Sequence, residues 1–318
     1  MEVPGFGPGR ALPPRTGQPV TYDWPVIHMN VHLVDGTYEL FRHYYGAPRA
    51  QSADGQEVGA IRGVLGSMLT MLGDGATHLA VATDHVIESF RNTLWRGYKT
   101  GAGIEPDLLA QFHPLEDALE AMGVTVMRMI EFEADDALAS GATKAAADPR
   151  VNRVLICTPD KDLAQSVVES RVVQLDRRAR VMRDADGVRK KFGVPPASIP
   201  DYLALTGDSA DGYPGLPGWG AKSAAALLAH FGSIERIPDD SRQWTVQVRG
   251  AAHLAATLAE YRVQANLFKE LATLRLDAPV FASVDAIRWT GPGPSFPAVC
   301  ERLGAKSLAL RAASIRRS

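Results

Sequence analysis

Residues 124–165 read VTVMRMIEFEADDALASGATKAAADPRVNRVLICTPDKDLAQ, and they decide the fold. The apolar run 124–130 predicts a strand. Behind it, residues 133–147 predict a helix that opens on three acidic residues, where negative charge is favoured. Residues 153–158 predict a further strand, followed by Asp160-Lys161-Asp162 and a short helix. Upstream the alternation continues. Residues 26–34 read as a buried strand ending at Asp35-Gly36, and residues 57–72 place apolar side chains at helical spacing. Residues 78–82 form another strand, ending at Asp84, and 105–122 an amphipathic helix opened by Pro106 and closed by Gly123. Strands alternating with helices indicate a parallel α/β sheet. Ligands of such sheets sit beyond the carboxyl ends of the strands. Asp35, Asp84 and Asp160 all follow strands, so they fall on one rim.

Downstream of about residue 184 the strand signals fade. Short helices with Gly/Pro turns are expected at 185–191, 199–205, 222–231, 251–260 and 263–271. The expected organisation is a Gly/Pro-rich flexible extension over 1–25 and an α/β core over 26–184. A helical region over 185–275 and a weakly patterned C-terminal extension over 276–318 follow.

The 318 residues are 46% hydrophobic and 22% charged, ordinary globular composition with length enough for a core. The two cysteines, Cys157 and Cys300, lie far apart without metal-ligand spacing, which fits a reducing cytoplasm and argues against a disulfide framework or a zinc site. No apolar run approaches the roughly 20 residues of a spanning helix, and no secretory signal is expected.

Nine carboxylates converge on the rim: Asp35, Asp84, Glu133, Asp135, Asp136, Asp160, Asp162, Asp208 and Asp211. Singly, each is as readily a turn, a cap or a helix-opening charge. Together they repel, which is tolerable when they are protonated or neutralised by cations. Hard divalent ions with oxygen ligands are the natural partners, and two of them suit phosphodiester cleavage. Setting nine negative charges aside moves the formal charge from −2 to +7, which suits a phosphate backbone as substrate.

The segments LVDGTYELFR, SFRNTLWRGYK, FEADDALAS, CTPDKDLAQ and ALTGDSADGYPGLPGWGAKSAAALL, in this order, resemble the 5′-nuclease domain of bacterial DNA polymerase I and related flap endonucleases. The resemblance runs over about 29–234. It implies a PIN-like parallel-sheet core with a helical helix-hairpin-helix region, and the nine acidic positions as ligands of two or more Mg2+ ions, with Mn2+ an alternative. The implied activity is 5′-3′ exonuclease and structure-specific flap endonuclease action by a two-metal-ion mechanism in DNA replication or repair. Its substrates are 5′ flaps and nicked or branched duplexes, in the bacterial cytoplasm, with a DNA polymerase as a candidate protein partner. No polymerase segment is present, so a standalone enzyme is expected. A PIN-type ribonuclease and a non-catalytic DNA-structure-binding relative are the rival readings.

Residues 89–112 correspond to the family's helical arch. There the resemblance assigns Arg91 and Lys99 to the scissile phosphate and Tyr98 to DNA. The family's usual basic residue after the Tyr-Lys pair is missing, since the chain reads Thr100-Gly101-Ala102-Gly103. The stretch 215–224 resembles the family's hairpin, which grips duplex backbone and holds a monovalent cation, K+, on main-chain carbonyls. Gly215, Gly218, Gly220, Lys222 and Ser223 are its candidate contacts, because N–H groups opening a helix bind phosphate. Gly212 and Ala221 depart from the family's usual Asn and Glu. Arg177, Arg178, Arg180 and Arg183 form a further basic stretch, read as a solvated face or a track for a second duplex arm.

Overall fold

The apolar runs pair as six strands of one sheet in a computed structural model that describes residues 29–315. The expected extension over 1–25, residues 26–28 of the first strand and residues 316–318 lie outside the described residues. Strands β1 (Met29–Asp35), β2 (His78–Asp84), β3 (Thr125–Met129), β4 (Val151–Cys157), β5 (Val172–Asp176) and β6 (Val181–Arg183) lie in the order β3-β2-β1-β4-β5-β6. All neighbours are parallel except β5 and β6. The chain winds outward from β1 through β2 to β3, then returns to the other side of β1 with β4. The crevice at that switch point opens beside Asp35, at the end of β1.

Alternation along the strands builds a layer on each face. Val34, Leu79 and Val81 pack with helices α1 (Gly36–Gly46) and α2 (Gly59–Gly73) in one apolar cluster. Val31, Leu33, Ala80, Ala82, Met127 and Ile156 point the other way, onto helix α6 (Ala134–Ala146). Gly36 is needed where α1 leaves the rim, because a Cβ there would sit 2.6 Å from Val81 Cγ1 and 2.8 Å from the Ala82 carbonyl oxygen.

The stretch 89–112 contributes two single-turn helices, α3 (Arg91–Leu94) and α4 (Pro106–Leu109). The single helix expected over 105–122 is broken into α4 and α5 (Phe112–Ala121). Pro114 has no N–H to give the Ala110 carbonyl, so the ladder restarts with Leu115 N donating to Gln111 O at 3.0 Å.

Helices α7 (Ala185–Phe192), α8 (Ile199–Thr206), α9 (Ala221–Phe231) and α10 (Ala251–Ala272) form a second apolar core around Leu203, Leu227, Leu258 and Phe268. Helix α10 joins the two helices expected over 251–271 through a non-helical Tyr261. Two findings depart from the sequence reading. Part of the basic stretch is the β5–β6 hairpin, with Arg177 turned inward to Glu39 at 3.3 Å. The residues expected as a C-terminal extension belong to the core. Phe281, Val284 and Ile287 pack on the α6 side. Trp289, α11 (Phe296–Arg302) and α12 (Lys306–Ser314) pack on the α1–α2 side, where Trp289 Nε1 donates to the Met122 carbonyl at 2.9 Å. No helix among the described residues is long and apolar enough to cross a membrane.

Candidate metal centre

Asp35 ends β1 and caps α1 in one step. Its Oδ1 accepts from the Tyr38 amide at 2.8 Å, and its Oδ2 from the Thr158 hydroxyl at 3.0 Å. Asp84, ending β2, takes the Ala134 amide at 2.8 Å and so fixes the first turn of α6 against the strand. That turn carries Glu133 as its cap and Asp135 just inside. Asp160 follows β4. The strand ends and this helix start therefore bring Asp35, Asp84, Glu133, Asp135 and Asp160 around one cleft of about 300 Å³, with Tyr38, Phe41 and Lys99.

Asp162, Asp208 and Asp211 form a second group beside the first. Each offers a carboxylate oxygen within 4.8 Å of the others, the one such grouping among the described residues. Asp162 opens a 3-10 turn after β4. Asp208 and Asp211 come from the loop after α8. Paired backbone hydrogen bonds between Asp208 and Tyr213, at 2.8 and 3.0 Å, shape that loop. Lys99 joins the two groups, its Nζ lying 2.7 Å from Glu133 Oε2 and 3.1 Å from Asp211 Oδ1.

The electrostatics are those of carboxylates in want of cations. Burial, with the charges of Asp84 and Asp160 added, pushes the Asp35 carboxyl up to about 7. Burial likewise raises Asp84 and Asp211. It raises Asp135 and Asp162 well above the usual carboxylate range, with Asp160 as the leading like charge at both. At Glu133 burial works upward too, but the Lys99 and Arg91 charges outweigh it and hold the group low. One buried oxygen of the trio, Asp162 Oδ1, has no hydrogen-bond partner. Clustered, repelling, incompletely satisfied oxygens fit hard divalent ions.

Three expected site residues sit elsewhere. Asp136 is fully buried and faces away from the cleft. Its Oδ2 accepts from Arg91 Nη1 at 2.7 Å and the Glu133 amide at 3.0 Å, and its Oδ1 from Arg91 Nη2 and the Arg275 amide, both at 2.8 Å. Buried outside the cleft lining, it anchors Arg91 against the first turn of α6. Arg91, expected at the scissile phosphate, is 1% exposed. Its guanidinium also donates to the Leu271 and Thr273 carbonyls, at 2.8 and 3.1 Å, so it locks α10 to α6. Tyr98 is 4% exposed, and its hydroxyl donates to Glu133 Oε2 at 3.3 Å, so it does not present itself to a nucleic acid.

The hairpin keeps its expected form, with Gly215 and Gly218 in left-handed backbone and Ser223 bonded back to the Gly220 amide. Lys222 is exposed at the start of α9. Gly212 proves necessary. It is left-handed at φ 84, a Cβ would overlap the Gly97 carbonyl oxygen, and its own carbonyl accepts from Trp95 Nε1 at 3.1 Å. Thr37, Thr158, Lys161 and Tyr213 surround the acidic groups without having been singled out. Thr158 lies inside the quoted CTPDKD segment, but its bond to Asp35 spans two strands.

Residues 30–193 match the family model of the 5′-3′ exonuclease N-terminal resolvase-like domain, and residues 194–295 that of the 5′-3′ exonuclease C-terminal SAM fold. The chain is 32% identical to a 5′-3′ exonuclease of Buchnera aphidicola subsp. Baizongia pistaciae, over 83% of this chain and 88% of that protein. It is 35% identical to DNA polymerase I of Pseudomonas aeruginosa, over 80% of this chain but only 28% of that protein. In fold it resembles T5 5′-exonuclease with bound zinc, at TM-score 0.60 and 20% identity, covering 89% of this chain and 99% of that one. It also resembles the catalytic core of Rad2 in complex with DNA substrate, at TM-score 0.58 and 14% identity, covering 92% and 93%. These structures share the PIN-like architecture.

Proposed function

The chain belongs to the 5′-3′ exonuclease family, and we propose that it hydrolyses DNA phosphodiesters next to a 5′ single strand, at flaps, nicks and duplex ends, with two divalent ions. The observation that carries this reading is the pair of adjacent acidic groups bridged by Lys99. Asp35, Asp84, Glu133, Asp135 and Asp160 surround the place for one ion, and Asp162, Asp208 and Asp211 the place for another, Mg2+ by preference and Mn2+ as alternative. Bound there, such ions supply the charge that activates water and stabilises a leaving oxygen.

The protein's own part is positioning. Thr158 and the Tyr38 amide fix both oxygens of Asp35. Glu133 and Asp211 hold the Lys99 ammonium over the cleft, where it balances the charge growing on a phosphate. Arg91 acts at one remove, by setting Glu133 and the first turn of α6 through Asp136. The amides at the start of α9, with Lys222, serve a duplex phosphate, and the hairpin carbonyls a K+ ion. The docking of Trp95 and Lys99 on the 211–212 loop ties duplex grip to the cleft. Two buried free cysteines and bacterial relatives support a cytoplasmic setting, and the polymerase I relatives support a DNA polymerase as partner.

The test is a time course on 5′-flap, nicked and blunt duplex DNA and on single-stranded RNA, with Mg2+ or Mn2+. Flap cleavage that needs the ion supports the reading. Preferential cutting of the RNA would replace it with a PIN-type ribonuclease.

A further inference from the structure

The last carbonyls of a helix have no donor within it, and at the end of α10 side chains supply them. Arg91 takes the carbonyls of Leu271 and Thr273, at 2.8 and 3.1 Å. The carbonyl between them, that of Ala272, accepts from Gln165 Nε2 at 2.8 Å. The amides that follow are claimed as well. Leu274 N donates to Gln165 Oε1 at 3.0 Å, and Arg275 N to Asp136 Oδ1 at 2.8 Å. Arg91 and Asp136 belong to the buried knot behind the first acidic group. Gln165 has no part in the assignments so far, and it stands in the turn that Asp162 opens.

Gln165 also closes that turn. Its Nε2 donates a second bond, to the Asp162 carbonyl at 2.9 Å. On the other side, the Asp162 amide donates to Asp160 Oδ1 at 2.9 Å. Both backbone polar groups of Asp162 are therefore tied, one to the first acidic group and one, through Gln165, to α10. Its side chain is left to meet the carboxylates of Asp208 and Asp211. A primary amide suits this place because it carries two N–H donors and a carbonyl acceptor in one plane. A glutamate lacks the donors, and a methionine of similar length lacks donors and acceptor alike.

Resting on the two-ion reading above, we infer that Gln165 is a positioning residue of the second ion site. It fastens the turn that presents Asp162 to the same end of α10 on which Arg91 and Asp136 fasten the first group. It acts through Asp162 and touches neither ion nor substrate. The separation of the two ion sites is thereby set by one helix end, before any ion arrives.

The test is Gln165→Met, which keeps the length of the side chain and loses its bonds to Asp162, Ala272 and Leu274. Hydrogen exchange at the Leu274 amide, followed in EDTA, should quicken, and it reports the tie without any ion. Calorimetric titration of the whole chain with Mn2+, without DNA, should show one of two binding events weakened about 10- to 100-fold, the range for loss of a ligand's outer partner. That event should be the one that Asp211→Asn removes. On a 5′-flap substrate kcat should fall while KM stays unchanged. Ser140→Ala is the control for general loosening. Ser140 bonds the Arg275 carbonyl and the Ala278 amide, both at 3.1 Å, in the same stretch of chain but outside the cleft lining. It should leave both Mn2+ events as they are in the parent. Parental Mn2+ affinities in Gln165→Met would overturn the assignment, as would an equal weakening in Ser140→Ala. Asp211→Asn separates the two levels of the claim. If it leaves Mn2+ binding intact, the trio holds no ion and the two-ion reading fails along with Gln165. If it removes one event while Gln165→Met weakens nothing, the ion site stands and only Gln165 falls.

Discussion

Asp135 and Asp136 are consecutive residues of one helical turn and live in opposite electrostatic worlds. Asp135 faces the cleft among Asp35, Asp160 and Asp162, with burial and like charge driving its carboxyl up. Asp136 points backward into a sealed knot, where a guanidinium fork and two backbone amides occupy its oxygens. On the cleft side, carboxylates gather without enough positive charge. In the knot, charges and donors are matched. A helix start separates neighbours by about 100°, and that rotation divides the site from its support. In the proposed mechanism the unsatisfied charge is where ions and substrate act, and the satisfied charge holds the site in place.

The comparison breaks most visibly at Asp135. Asp135→Ala should lower cleavage of a 5′-flap substrate about 10³-fold, since metal-ion charge stabilisation amounts to several kcal/mol and each 1.36 kcal/mol is a factor of ten. DNA affinity measured in Ca2+ should stay nearly unchanged. Turnover close to the parent's would remove the cleft from the chemistry.

The knot should fail differently. Arg91→Ala leaves Asp136 as an uncompensated buried charge and should cost about 3–5 kcal/mol of unfolding free energy in urea. Arg91→Lys keeps the charge, loses the fork and should fall in between. An Arg91→Ala protein of parental stability but without activity would instead put Arg91 at the phosphate, as the sequence resemblance implied. Lys99, on the boundary between the regions, should give a mixed effect. Lys99→Met should reduce turnover about 10²-fold, because its charge is set against developing charge, and should also lower the melting temperature, by less than Arg91→Ala does, because Glu133 and Asp211 lose a partner.

This division was only half legible in the sequence. The first four strands, the rim and the carboxylates that follow those strands are legible from periodicity and position, whereas Asp208 and Asp211, in a loop after a helix, were marked by the family resemblance, and β5 and β6 were not expected. Depth does not follow. Nothing local to EADD tells which aspartate turns inward, because the donors that claim Asp136 include Arg91 and the Arg275 amide, distant in the chain and joined only by packing. The same holds for Tyr98 against Glu133. The last forty residues were opaque for another reason. Phe281, Ile287, Trp289 and Phe296 are single anchors on a chain that crosses both faces of the sheet, and single anchors leave no period to detect.

The smallest effect tests the electrostatic half of the comparison without any substitution. In the folded, ion-free protein the Asp35 carboxyl lies at about 7, against 3.8 for an unperturbed aspartate. The folded state therefore binds this proton more tightly than the unfolded chain does. Its contribution to stability is complete below about pH 4 and is lost as the pH climbs toward 7. Asp84, Asp135 and Asp162 are shifted in the same direction and add to the trend. Glu133, held low by Lys99 and Arg91, has the opposite sign, so its contribution is lost only as the pH falls into the acid range. In EDTA the melting temperature should thus drop by several degrees between pH 5 and pH 8. Mn2+ should reverse the trend, because the ion competes with protons for the same oxygens and its stabilisation grows with pH. Asp35→Asn should flatten the EDTA profile. A melting temperature that rises with pH in EDTA would mean that the cleft carboxylates are already compensated by the protein, as they are in the knot, and the contrast between the two regions would vanish.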